Sequence, residues 1–389
     1  MGKKMRKAQK VSLFLIVCIS IFSVLFTNLY NSNLQFRHHY FENSNSNNIN
    51  ILTSFNSNNF SIEINSDDDL LTYSFPGTGN YTDPYRIENF SFTTSQSYGI
   101  KIYNTTKHIL IQNCNINAQS DAINVRKTAP DTIIINNNTL SGSLGIYIDN
   151  SSHIRITNNK CIETTWISII LNNAPYSLIA NNTLIGNTLL GKSGIAIKIE
   201  FGSHYSQIIN NKIINNNDGI LLHHVSGCTI KNNILRNNRL GILLDGFNRE
   251  QSSSNLTITD NLFENNSWYG LLILNYNHNN VVYHNSFVNN NPNGKSQAKD
   301  DGENNIWFNT TLKEGNYWSD WWGILPYPID GSANKNDMYP LESPLHPTIT
   351  KIPTFFIGRV VLVIALSIGI PVFLTITILI IKKFKKKRV

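Results

Sequence analysis

One face of the repeated strands of this chain carries residues that could act as acids and bases. Lys198, His223 and Asp245 occur in three consecutive repeats of alternating aliphatic residues. If each repeat adds one strand to a parallel sheet, the three side chains lie about 5 Å apart, the distance between neighbouring strands. A cation beside an imidazole and a carboxylate is a candidate catalytic centre, or a site for a uronate. A solvated face of mixed charge is the alternative interpretation.

The same face extends towards the N-terminus, where its residues suit ligand binding. Asp149 and Asp245 are four repeats apart, about 19 Å at the strand spacing, whereas paired glycosidase carboxylates lie roughly 5 to 10 Å apart. These two residues therefore cannot serve one glycosidic bond. The candidates for binding an extended polymer are the aromatic and charged residues Tyr103, Arg126, Tyr147 and Asp149.

The strands that position these residues come from an internal repeat. An aliphatic residue, a variable residue and Asn are followed, three positions after the Asn, by a second aliphatic or aromatic residue. Nine such units begin at Ile87, Ile111, Ile135, Ile156, Ile179, Ile208, Ile230, Ile258 and Val282. The units end at Phe92, Ile116, Leu140, Cys161, Leu184, Ile213, Leu235, Phe263 and Phe287. Insertions fall between the units, as a solenoid allows.

The Asn of each unit is predicted to form a structural ladder. Equivalent residues of stacked coils lie about 4.8 Å apart, and an amide both donates and accepts hydrogen bonds and tolerates a left-handed corner. The predicted ladder consists of Asn89, Asn113, Asn137, Asn158, Asn181, Asn210 and Asn232. Asp260 and His284 take the equivalent positions in the last two units, where they could pair ionically, bind a metal or simply replace Asn.

A second strand is predicted in most repeats, opening with Gly and continuing with alternating aliphatic residues that place one face inward. These strands open at Gly99, Gly145, Gly194, Gly219, Gly241 and Gly270. Leucine-rich repeats share the period, but they need a helical segment in each repeat, and the connections here are rich in Asn, Ser, Thr and Gly. We therefore predict an all-β fold, a parallel β-helix of about nine coils.

Each end of the chain combines a basic segment with an apolar segment. Of the 32 Lys and Arg residues, five lie in the first ten residues and seven in the last 31, which leaves 20 cations against 25 anions elsewhere. A body of net negative charge does not favour nucleic acid as a partner. The apolar segments predict a signal peptide or signal-anchor helix at 11–30 and a transmembrane helix at 360–381. The basic segments 1–10 and 382–389 then lie in the cytoplasm, and the body lies outside the cell.

The body divides by composition into an Asn- and Ser-rich linker (31–66), the β-helix (67–291), a C-terminal cap (292–345) and a Pro-containing linker (346–359). Trp318, Trp321 and Trp322 in the cap form either a hydrophobic lid over the last coil or a sugar-stacking platform. The cysteines show no disulfide framework. Ten N-x-S/T triplets are potential glycosylation sites.

Several motifs resemble those of the NosD-like, CASH-type right-handed parallel β-helix proteins, many of them archaeal surface proteins. They are GTGNYTDPYRIENF at 77–90, GNYWSDW at 315–321, PYPIDG at 326–331 and DMYPL at 337–341. The resemblance covers residues 70–345 and implies a right-handed coil. It also implies one of three roles: carbohydrate binding, sugar hydrolysis, or copper-site maturation beside a membrane transporter. Relatives often carry an Asp- and Gly-rich loop where this chain has only WGIL, which argues against a calcium role for that loop.

We predict a membrane-anchored cell-surface module that binds an extended polymer, most readily a carbohydrate, without catalysis. One alternative is a polysaccharide lyase or glycoside hydrolase that uses Lys198, His223 and Asp245. Another is an accessory protein for a membrane transporter or metalloenzyme. No cofactor is expected; calcium and copper are the ions that the resemblance raises, and copper has few soft ligands because Met338 is the only methionine outside the N-terminal segment.

Overall fold

The computed structural model describes residues 53–55, 59–186 and 194–345. Its short strands are numbered β1 to β32 along the chain, and β1 to β30 form three parallel sheets. Each coil contributes one strand to sheet I, then one to sheet II and one to sheet III. Sheet I contains β3 (Tyr85–Glu88), β6 (Ile109–Gln112), β9 (Ile133–Asn136), β12 (Arg155–Thr157), β15 (Leu178–Ala180), β18 (Gln207–Ile209), β21 (Thr229–Lys231), β24 (Thr257–Thr259) and β27 (Val281–Tyr283).

Sheets II and III follow the same order along the solenoid. Sheet II contains β1 (Thr53–Phe55), β4 (Phe90–Thr94), β7 (Asn115–Ala118), β10 (Thr139–Ser141), β13 (Lys160–Ile162), β16 (Thr183–Ile185), β19 (Lys212–Ile214), β22 (Ile234–Arg236), β25 (Leu262–Glu264), β28 (Ser286–Val288) and β30 (Tyr317–Trp318). Sheet III contains β2 (Ile62–Ile64), β5 (Tyr98–Tyr103), β8 (Asp121–Arg126), β11 (Leu144–Asp149), β14 (Ile167–Asn172), β17 (Ile195–Glu200), β20 (Asp218–His223), β23 (Leu240–Asp245), β26 (Leu271–Ile273) and β29 (Ala298–Asp300).

The described residues form nine complete coils, from coil 1 (β3 to β5) to coil 9 (β27 to β29). The fold is a right-handed parallel β-helix, the hand that twisted strands favour in parallel crossover connections. Strand pairing aligns the first residues of all nine predicted units, from Ile87 opposite Ile111 to Ile258 opposite Val282. Each of these side chains is fully buried. Burial of one such side chain contributes about 1.5–3 kcal/mol, and the stack of aliphatic residues forms one continuous core.

Two adjacent residues have different structural roles at the corner between sheets I and II. All the residues predicted as the ladder, from Asn89 to Asn232, together with Asp260 and His284, have positive φ angles between 55° and 63°. The buried amide stack is formed by the residue that follows each of them in coils 3 to 9, namely Asn138, Asn159, Asn182, Asn211, Asn233, Asn261 and Asn285. Each of these Asn side chains donates to the Oδ1 atom of the next residue in the stack, and the last donates to Asn316. The exposed Asn therefore makes the turn, and its neighbour forms the ladder.

The register of sheet III differs from the predicted one in coil 5. Ile197 and Ile199 pair with Ile220 and Leu222 and are fully buried, so Ala196 takes the position that Gly219 holds in the next coil. Gly194 lies two residues too early to open the aligned strand. This shift moves Glu200 into the place that the sequence pattern gave to Lys198.

Both ends of the solenoid are covered. β1 and β2 precede residue 67 and extend sheets II and III, and the short helix α1 (Asp69–Thr72) follows them. At the C-terminal end, the buried Trp318 ring stacks on Phe287 with centroids 4.2 Å apart and on Tyr327 at 4.0 Å. The antiparallel pair β31 (Tyr327–Pro328) and β32 (Asn336–Asp337) closes this cap.

The predicted anchors at 11–30 and 360–381 lie outside the described residues. Within the described part of the chain, no helix has the length and apolar character needed to cross a membrane.

Candidate functional site

The outer face of sheet III carries two neighbouring columns of side chains in register. Column A runs through coils 1 to 7 as Tyr103, Arg126, Asp149, Asn172, Glu200, His223 and Asp245. Column B runs beside it as Lys101, Asn124, Tyr147, Ile170, Lys198, Leu221 and Leu243. Consecutive residues of one column are one strand spacing apart, about 4.8 Å, so the seven residues of column A extend over about 29 Å.

The first three coils bring together cations and tyrosine rings. The Arg126 guanidinium lies 4.7 Å from the centre of the Tyr147 ring, and its Nε donates to Asn124 Oδ1 at 3.1 Å. Lys127 Nζ lies 5.3 Å from the ring centre of Tyr103 and donates to its hydroxyl at 3.1 Å. These contacts hold a basic and aromatic surface at the N-terminal end of the face.

This surface contains a shallow depression. Its volume is about 310 Å³, and it is lined by Asn65, Tyr98, Lys101, Tyr103, Asn124 and Arg126. Lys101 Nζ lies 3.5 Å from Glu63 Oε2, whereas Arg126 forms no ion pair within the described part of the chain. Two of the four predicted binding residues, Tyr103 and Arg126, therefore line this depression, and Tyr147 contacts Arg126 beside it. Asp149 follows Arg126 in column A and accepts a hydrogen bond from the Asn150 side chain.

The predicted acid and base residues are arranged differently from the sequence pattern. His223 and Asp245 are register partners, with Nδ1 3.6 Å from Oδ2. The residue before them in column A is Glu200, and Lys198 lies in column B, where its Nζ is 2.5 Å from Glu200 Oε2. His223 thus has a carboxylate residue on either side along the column, and the nearby lysine is already paired.

Two phenylalanine rings flank the His223 imidazole. The centroid of Phe201 lies 5.1 Å from that of His223 and the centroid of Phe247 lies 5.0 Å from it, both in edge-to-face geometry. His223 is only 4% exposed, and neither of its ring nitrogens has a hydrogen-bond partner in the part of the chain that the structure describes. Sequence reasoning missed Glu200 and both phenylalanines. The sequence signal for the two phenylalanines is the pair of dipeptides FG at 201–202 and GF at 246–247, which stand where other coils have polar residues after the strand.

The three predicted tryptophans have different environments. Trp318 is buried in the cap, and its indole N–H donates to Asp337 Oδ2 at 2.9 Å. Trp321 packs partly against the core and donates to the Leu325 carbonyl. Trp322 is 85% exposed. The three rings therefore do not form one platform.

The predicted metal candidates form an ion-paired row. His284 Nδ1 lies 3.9 Å from Asp260 Oδ1, and His284 Nε2 lies 2.7 Å from Glu314 Oε2. Lys231 Nζ also approaches Asp260 Oδ2 at 3.5 Å. Lys231 and His284 thus already contact the Asp260 carboxylate, and His284 also contacts Glu314, so these side chains are engaged with one another beside sheet I.

The architecture and the outer columns are those of a right-handed parallel β-helix protein with a polar face along its axis. The chain belongs to the NosD family, described as periplasmic copper-binding protein (NosD), whose family model matches residues 123–323, slightly more than half of the chain. A comparison with curated protein sequences gives no match.

Three of the solved structures that are similar to the chain are two epimerases and a tailspike protein. The A-module of mannuronan C-5 epimerase AlgE4 from Azotobacter vinelandii has 12% identity and a TM-score of 0.42, covering 67% of this chain and 81% of that one. The periplasmic alginate epimerase AlgG has 16% identity and a TM-score of 0.46, covering 64% and 66%. The Dettilon tailspike protein has 13% identity and a TM-score of 0.46, covering 71% and 51%.

The family description implies copper, and the donors in the described residues do not fit it. No three His, Cys, Asp or Glu side chains in this part of the chain are arranged to hold a metal ion. Cys114, Cys161 and Cys228 are buried at three different coils, so they do not come together in one site, and burial raises the pKa of their thiols to about 11, 12 and 11. Met338 is the one methionine among the described residues.

Proposed function

We propose that this domain binds an extended acidic polysaccharide along the outer face of sheet III, without catalysis. The observation that carries the proposal is the cluster of Arg126, Tyr103 and Tyr147, held in register over the first three coils. Family membership supports a domain that works in the periplasm or outside the cell. The predicted anchors would attach it to the membrane.

The chemistry of Arg126 suits a carboxylate of the polymer. Its guanidinium is always charged, has no ionic partner among the described residues and is oriented by the Tyr147 ring and Asn124. A planar guanidinium can donate two parallel hydrogen bonds to a carboxylate, which an ammonium cannot do with the same geometry. The tyrosines add flat rings and hydroxyl groups that suit the faces and edges of sugars.

Two other functions stay open as alternatives. The Glu200, His223 and Asp245 row favours a polysaccharide lyase or hydrolase, because it brings an imidazole and carboxylates to one place. An accessory role in metal-site maturation beside a membrane transporter follows from the family alone. Release of new reducing ends from a bound polysaccharide would support the enzyme.

The test is binding of the full-length chain, in detergent, to polygalacturonate, hyaluronate and dextran, with reducing ends measured in parallel. We expect binding to the acidic polymers that weakens with salt, and no release of sugar. Arg126→Ala should weaken binding about 10- to 100-fold, the effect of one charged hydrogen-bonding group, and Arg126→Lys should restore only part of it.

The matched control is Arg155→Ala. Arg155 is also a surface arginine on a strand, but it lies on sheet I and pairs with Asp131 at 3.4 Å. The proposal fails if the parent chain binds neither acidic polymer, or if the two alanine variants lose affinity equally.

A further inference from the structure

A second cluster lies on the same face, four coils beyond Arg126 and therefore about 19 Å away along the axis. It consists of the buried His223 imidazole and the two rings that cover it, Phe201 from coil 5 and Phe247 from the loop after coil 7. Phe201 is 44% exposed and Phe247 is 70% exposed. Two large apolar rings thus remain in solvent directly beside a polar side chain that does not.

The imidazole lacks the hydrogen bonds that a buried polar group normally makes. Neither Nδ1 nor Nε2 of His223 has a hydrogen-bond partner among the described residues, and the Asp245 carboxylate oxygen Oδ2 lies 3.6 Å from Nδ1. Hydrogen bonds to nitrogen are usually 2.7–3.2 Å long. Buried polar groups are bonded in the large majority of cases, so an imidazole without partners points to a ligand that supplies them.

The corner position of Phe201 is unusual for an aromatic residue. In coils 1 to 4 the residue that follows column A is Asn104, Lys127, Asn150 or Asn173, each with positive φ. Phe201 takes the same place with φ of 38°, a conformation that a bulky side chain disfavours. Because Asn would satisfy the turn more easily, the ring itself is the feature that needs an explanation.

We propose that Phe201, His223 and Phe247 form a subsite for an uncharged sugar ring of the same polymer, an inference that rests on the proposed function. The apolar face of the sugar packs on the exposed rings, Phe247 moves aside from His223, and sugar hydroxyls donate to one imidazole nitrogen and accept from the other. Glu200 and Asp245 flank His223 in column A; Lys198 neutralises Glu200, so Asp245 is the carboxylate that disfavours a carboxylate of the polymer here.

The two ends of the face therefore select different sugars. The Arg126 end takes an acidic sugar and the His223 end takes a neutral one. A polymer that combines uronate and uncharged units satisfies both, whereas a polymer of uronates alone satisfies only the first.

The experiment compares hyaluronate, in which acidic and neutral sugars alternate, with polygalacturonate, which is acidic throughout. The full-length chain should bind hyaluronate more tightly, and Phe247→Ala should reduce that affinity about three- to tenfold, the effect of one aromatic contact. Polygalacturonate affinity should stay unchanged in the variant. Because Phe247 is exposed, its replacement leaves the core intact.

Tyr81→Ala is the matched control. The Tyr81 ring is 65% exposed and makes the same kind of edge-to-face contact with a histidine, His108, at 5.5 Å. A second readout is the ring ¹⁵N spectrum of His223. Hyaluronate should shift these signals in the parent chain, whereas the signals of a purely structural histidine would not respond to it.

The outcomes separate the two proposals. If Arg126→Ala weakens binding but Phe247→Ala behaves like Tyr81→Ala and the His223 signals do not move, the subsite is refuted and the proposed function stands. If neither acidic polymer binds the parent chain, the proposed function fails and the subsite fails with it.

Discussion

Replacement of Asn211 by Ala is expected to destabilise the β-helix strongly, because this side chain connects three coils. Its Nδ2 donates to the Ile179 carbonyl at 2.9 Å and to Asn233 Oδ1 at 3.0 Å. Its Oδ1 accepts the backbone N–H of Asn182 at 2.9 Å and the Asn182 side chain at 3.0 Å. Asn211 is 1% exposed, so water cannot take over these bonds.

The expected loss follows from these bonds. Each contributes a net of about 0.5–1.5 kcal/mol, and the buried groups left without partners cost about 1–3 kcal/mol each. Because some of them retain a second bond, we expect a total of about 3–5 kcal/mol, at the upper end of single substitutions. That is a large part of the roughly 5–15 kcal/mol by which a native domain is stable.

Asn210→Gly is the control that distinguishes the turn from the ladder. Asn210 is exposed and has φ of 58°, a conformation that Gly adopts without strain. Its loss should therefore change the free energy of unfolding by less than about 1 kcal/mol. The assay is urea unfolding of the full-length variants, followed by the fluorescence of the buried Trp307 and Trp318. The assignment of the ladder fails if Asn211→Ala costs less than about 1 kcal/mol, or if Asn210→Gly costs as much.

Two further predictions concern the core and the cap. At pH 8, Cys114, Cys161 and Cys228 should not react with a thiol reagent until urea is added, because burial raises the pKa of their thiols to about 11, 12 and 11. A Cys18→Ala background isolates these three thiols, and fast labelling of the native protein would contradict the prediction. Trp318→Ala should cost about 3–5 kcal/mol in thermal or urea unfolding, whereas Trp322→Ala should cost less than about 0.5 kcal/mol. Equal effects of the two would show that the cap does not depend on the buried ring.

The fold could be predicted because its inward positions repeat in every coil. Ile87 and its eight equivalents carry the same aliphatic character, and each needs the others to complete a core. The left-handed corner could also be predicted, since Asn is one of the few residues that tolerate it. The sequence did not distinguish the two members of an Asn pair such as Asn210 and Asn211, because both are amides and only the path of the backbone decides which one points inward.

The candidate site could be predicted only in part, and the reason is the period of a β-strand. In GIAIKIEF the alternation of inward and outward residues is the same whether the aligned strand begins at Gly194 or two residues later. A slip of one residue would expose the core, but a slip of two keeps every aliphatic residue on its face. The pattern therefore identified the correct face and gave His223 the wrong neighbour along it.

That two-residue difference changes the side chain next to His223 in column A from a lysine to a glutamate. With Lys198 in column A, the imidazole would lie beside a cation, and the centre of the face would attract the carboxylate of a uronate. With Glu200 there, and Lys198 paired to it, the centre has carboxylates on either side of His223, and the unpaired cation nearest along column A is Arg126. A polymer that carries carboxylates at every unit would meet attraction at one end and repulsion at the other. In the proposed binding mode, the register of coil 5 thus leaves Arg126 as the position for an acidic sugar and His223 as the position for a neutral one.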